Sequence, residues 1–161
     1  MAEANATSAE QIAALLSRFA AVTWPVPEAE VSALVNTLGW SVTSDSGKGI
    51  VLADSALPIN RSDAELTCVR GELNSVSFAV TDVVLEQTPW REEFLRDAFA
   101  DVVDGATQAL GAPAKRLRKP NPQVRWELAN GGRVTITMLS VSISVEVASA
   151  HYAEALRTLG P

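Results

Sequence analysis

Residues 124–147 read VRWELANGGRVTITMLSVSISVEV. Val124, Trp126 and Leu128 alternate with polar neighbours, Asn130-Gly131-Gly132 interrupts, and Val134, Ile136 and Met138 resume the same period of two. Alternation on both sides of an Asn-Gly turn is the pattern of an antiparallel hairpin with one buried face. Val141, Ile143, Val145 and Val147 carry the alternation into a third strand.

Upstream, Thr88-Pro89 opens the longest helix. Phe94, Leu95, Ala98, Phe99, Val102, Val103, Ala106 and Leu110 keep one apolar face until Gly111 and Pro113 end it. Before that helix the period is again two. Trp40 and Val42 lead into Asp45-Ser46-Gly47-Lys48-Gly49, and Ile50, Val51 and Leu52 follow. Leu66, Cys68 and Arg70 alternate on the next strand and Val76, Phe78 and Val80 on a fourth, joined near Gly71 and Asn74.

The chain opens as a helical pair. Ser8 and Gln11 have the spacing of a capping box, and Ile12, Leu15, Leu16, Phe19 and Val22 recur at helical spacing, which predicts a helix over about 8–21. Trp24-Pro25-Val26-Pro27 breaks it. Pro27 suits a first helical position, and Val31, Leu34, Val35 and Leu38 form a second apolar stripe that stops at Gly39. A short helix over about 150–159, with Tyr152, Leu156 and Leu159, closes the sequence.

Runs of helix and runs of strand, without alternating βαβ units, predict an α+β fold. The expected architecture is one domain over 1–161, with 1–7 flexible. An antiparallel sheet of about six to seven strands, in two hairpin or meander groups, packs against one long central helix, with all helices on one side. An internal duplication is not supported, because no motif recurs at a fixed period.

At 161 residues with 47% apolar composition the chain can bury a core without staples. Cys68 is the lone cysteine, so an internal disulfide is excluded and a reducing cytoplasm fits. No apolar run is long enough to span a bilayer, and the acidic start lacks the form of a signal peptide. With 19 acidic against 13 basic residues, nucleic acid is disfavoured as a partner and a basic protein is favoured.

Chemistry has few residues to rest on. His151 is the only histidine, lies far in sequence from Cys68 and reads as a surface or capping residue. One His and one Cys make a metal improbable, and neither Ser46-Gly47-Lys48-Gly49 nor Asn130-Gly131-Gly132 has the glycine spacing or the strand-to-helix context of a phosphate loop. Glu92 and Asp97 are not spaced to share a cleft as acid and base. Trp24, Trp40, Trp90 and Trp126 each sit at the edge of a predicted element, where anchoring a core is the expected role. No catalytic residue, cofactor or metal is expected.

Two charge patterns remain. Glu93, Asp97, Asp101 and Asp104 are spaced by four, four and three on the long helix, opposite its apolar side, so they form one solvent-facing stripe. Like charges so spaced cost a few tenths of a kcal/mol each, and a rigid acidic stripe steers encounter with a cationic protein. In AKRLRKPNP (114–122), Lys115, Arg116, Arg118 and Lys119 gather four of the thirteen basic residues. Placed between the helix stop and Val124, with Pro120 and Pro122 holding the chain extended, the stretch reads as a charged connector.

Trp24-Pro25, Leu38-Gly39-Trp40, Val80-Thr81-Asp82, Arg96-Asp97-Ala98-Phe99, Leu110-Gly111-Ala112-Pro113, Val124-Arg125-Trp126 and the closing hairpin, in that order, resemble a family of small proteins from high-GC actinobacteria known as a domain of unknown function. That family is similar to the small intracellular α+β proteins encoded beside polymorphic toxins and type VII secretion substrates. The resemblance implies a non-enzymatic protein-binding role in the cytoplasm, as an immunity protein occluding a cognate secreted toxin. A secretion chaperone is the alternative, and it assigns no catalytic residues. A third reading, a small-molecule binder, predicts a Trp-lined cavity with converging polar groups.

Overall fold

A computed structural model describes residues 4–160. Helix α1 (Ala9–Ala20) starts at the expected capping box: the Ser8 hydroxyl accepts from the Gln11 amide, and the Gln11 side chain accepts from the Ser8 amide. A 3₁₀ turn at Glu28–Glu30 leads into α2 (Val31–Thr37). The first meander follows as β1 (Ser41–Asp45), β2 (Ile50–Asp54), β3 (Asp63–Val69) and β4 (Glu72–Ala79). Then come α3 (Pro89–Leu110), β5 (Lys115–Leu117), β6 (Gln123–Glu127), β7 (Arg133–Met138), β8 (Ile143–Ala148) and α4 (Ala150–Leu159).

All eight strands form one antiparallel sheet in the order β1-β2-β3-β4-β8-β7-β6-β5. The first half is thus the helical pair α1 and α2 followed by a four-stranded meander and the second is α3 followed by another, and the two fourth strands, β4 and β8, pair at the centre. The architecture repeats although the sequence does not: a meander demands only alternation and turns, which many unrelated residues satisfy.

The register explains the single core. Val51, Leu66, Val76, Val147, Val134 and Trp126 stand opposite one another in one row across six strands, and all are buried. This face packs under α1 and α3, which lie against each other. Buried Gly105 makes that approach possible, since a Cβ there would collide with the Ala9 carbonyl and stand 2.9 Å from the Ala9 Cα. Phe19, Trp40 and Phe78 meet in a ring cluster with centroids 5.2 to 6.1 Å apart.

Four expectations are corrected. The sheet has eight strands because Lys115–Leu117, read as connector, pairs with Arg125–Gln123 as an edge strand; three charged or long residues carry no alternation to detect. Arg70 is not a strand position. It and Gly71 have φ of 53° and 79° and form a two-residue hairpin turn between Val69 and Glu72, whose positive angles match strand twist. The helices do not all share one side. The Arg157 guanidinium of α4 bonds the Glu127 carboxylate at 2.7 Å, and Glu127 points away from buried Trp126, so α4 crosses the opposite face. The expected α2 start at Pro27 is a 3₁₀ turn instead. Of the flexible start, residues 1–3 lie outside the described residues, whereas Thr7 donates to the Val80 carbonyl and Asn5 to the Asp82 carboxylate.

Candidate functional site

On α3 the inward positions Leu95, Ala98, Val102 and Ala106 are buried, which turns Glu93, Asp97, Asp101 and Asp104 outward, all exposed. Asp104 accepts from the Gln108 amide at 3.1 Å. Among the described residues the ion pairs join only Arg133, Arg157, Glu127 and Glu154, so the stripe forms no ion pair with a basic side chain.

The basic stretch stands on the outer sheet edge. Arg116 is exposed on β5, and Arg118 and Lys119 follow it, also exposed. A short edge strand flanked by cations resists pairing with other chains.

Of the four tryptophans, Trp40 and Trp126 are core residues, 4% and 1% exposed, and the Trp126 indole donates to the Gly111 carbonyl at 2.9 Å. Trp24 behaves differently. It forms one wall of a cleft of about 810 Å³ between the 24–25 segment, the Arg70-Gly71 turn and the first turns of α4, where Arg70, Glu72, Asn74, His151 and Tyr152 also converge. The sequence placed His151 at the surface, where it is, but gave no reason to join it to Trp24. The link is made by backbone bonds: the Leu73 amide donates to the Val26 carbonyl and the Ser149 amide to the Asn74 carbonyl, bringing three distant segments to one end of β4. The missed signal was Arg70-Gly71, a hairpin dipeptide between two alternating runs.

Cys68 is buried, and burial, reinforced by the carboxylates of Glu28 and Asp45, pushes its thiol above the ordinary value, the reverse of an activated nucleophile. Among the described residues no group of three His, Cys, Asp or Glu side chains is gathered to hold a metal. Nor, among the described residues, is any helix long and apolar enough to cross a membrane.

The chain belongs to a family described as a family of unknown function (DUF6301), whose model matches residues 10–149. No curated protein and no solved structure matches it.

Proposed function

We propose, with that membership as premise, that the chain is a non-enzymatic protein-binding module of the cytoplasm, an immunity protein that neutralises a cognate secreted toxin by steric and electrostatic occlusion. The observation that carries this reading is the exposed stripe of Glu93, Asp97, Asp101 and Asp104 on α3, which forms no ion pair among the described residues. The stripe repels itself in the free protein and is relieved by a basic partner. It stands on a helix held against α1 and the sheet, so little order is lost on docking. The toxin-directed role comes from the resemblance in motif order.

Co-expression with the product of the adjacent gene tests the reading. The expected outcome is a stable complex and rescue of growth where that product is toxic. Reversing two charges, Asp97→Lys with Asp101→Lys, weakens the complex by about tenfold or more and leaves the melting temperature nearly unchanged, because both side chains are exposed. Unchanged affinity removes the stripe from the contact. A complex whose partner gains solubility or export without any toxicity to suppress favours the chaperone.

A further inference from the structure

The cleft beside Trp24 stands apart from the acidic stripe, and its inventory is specific. It gathers the only histidine and the only tyrosine of the chain with one of its four tryptophans. Its volume, about 810 Å³, lies within the range of small-molecule sites, roughly 300 to 1,000 Å³. The polar side chains that converge there are idle. Among the described residues Arg70, Glu72, Asn74, His151 and Tyr152 make no side-chain hydrogen bond or ion pair within the protein, although they share one concavity. Arg70 and Glu72 matter most. Unlike charges two residues apart on one cleft would be expected to pair, yet exposed Arg70 and half-buried Glu72 do not.

We propose that this cleft binds a small zwitterion bearing a flat apolar ring, of the kind an aromatic amino acid exemplifies. The ring lies between the Trp24 indole and the Tyr152 phenol, which supply large contact area at low cost in side-chain entropy. The ligand's carboxylate is taken by the Arg70 guanidinium, whose planar fork suits it, and its ammonium group by the Glu72 carboxylate. A ligand with one charge engages only one of Arg70 and Glu72, so the arrangement favours a ligand carrying both signs. No bond is made or broken.

The test is an NMR titration of the full chain with three probes that share a phenyl ring: L-phenylalanine, phenethylamine and 3-phenylpropionate. The indole N–H signal of Trp24 and the amides of Tyr152 and Ala155 report the cleft. Phenylalanine is expected to bind at least about tenfold more tightly than either single-charge probe. Arg70→Asn, which keeps a residue tolerant of positive φ at the turn, weakens phenylalanine and phenylpropionate about tenfold and leaves phenethylamine unchanged. Glu72→Gln weakens phenylalanine and phenethylamine and leaves phenylpropionate unchanged. The proposal is overturned if the three probes bind alike, if no cleft signal moves up to the solubility limit, or if neither substitution changes the order. Toxin rescue is independent of all these readings.

Discussion

The two halves of the sheet share one inner face and differ on the outer one. Inside, the row from Val51 to Trp126 runs unbroken across the β4–β8 junction. Outside, the β5–β8 half is covered in part, at the end nearest α4. Arg133, 7% exposed, is paired with Glu127 at 2.8 Å; Glu127 is held in turn by Arg157 of α4, and Ala148 is buried. In the β1–β4 half α4 reaches β4 but not β1 or β2, and Ile50, Leu52 and Val69 stay 42%, 38% and 48% exposed. The repeated architecture is thus a shared core with an asymmetric exterior. Its cleft lies where the first turns of α4 meet the β3–β4 turn.

The largest losses are expected on removing one large buried residue from each half. Trp126→Ala deletes a fully buried ring and its bond to Gly111 and is expected to cost about 4 kcal/mol; Leu66→Ala, also fully buried, costs about 3 kcal/mol. Both variants should melt in one transition by circular dichroism and calorimetry. Two separated transitions in either would mean that the halves have separate cores.

Smaller losses are expected where single side chains fasten loops to distant elements. In the first half the buried Asp82 carboxylate accepts from the Asn5 and Asn60 amides at 2.9 and 2.8 Å, so Asp82→Ala costs about 2 kcal/mol. In the second, the Asn130 amide shares its two hydrogens among the carbonyls of Phe19, Ala20 and Val22, at 3.2, 3.3 and 2.9 Å, and so closes the carboxyl end of α1. Asn130→Ala costs about 1 kcal/mol in urea unfolding and exposes the α1 terminus to faster hydrogen exchange. An unchanged exchange rate there would detach the β6–β7 loop from the first half.

Asn130 also marks how far the sequence could be read. Asn-Gly-Gly announces a turn, but not that the asparagine will reach more than a hundred residues back to cap another helix, because side-chain bonds between remote segments leave no periodic trace. The meanders and α3 were legible because alternation and helical spacing repeat many times over. The β5 strand was not: three residues hold too little pattern, and their charge suggested a connector. The placement of α4 was hidden for a different reason. An amphipathic helix states that it has an apolar side, not which face of a sheet will receive it. The outward turn of the acidic stripe followed from spacing alone, whereas the cleft follows from three segments meeting, which no local pattern encodes.

The finest distinction between the covered and bare outer surfaces rests on Glu146. It stands on β8 opposite Ser77 of the first half and Thr135 of the second, faces outward beside buried Val145 and Val147, and finds no ion-pair partner among the described residues. Burial pushes its carboxyl above the ordinary value, because the charged form loses solvation that no cation replaces. A carboxyl raised on folding binds its proton more tightly in the native state. It therefore adds stability below its unfolded value, and this is lost as pH rises through the folded one. Glu146→Gln removes the charge and should raise the melting temperature slightly at pH 7, with the gain shrinking as pH falls from 7 toward 5. A gain that stays constant from pH 7 to pH 5 would mean that Glu146 is solvated like any surface carboxylate and that the centre of the outer face is as bare as its β1 edge.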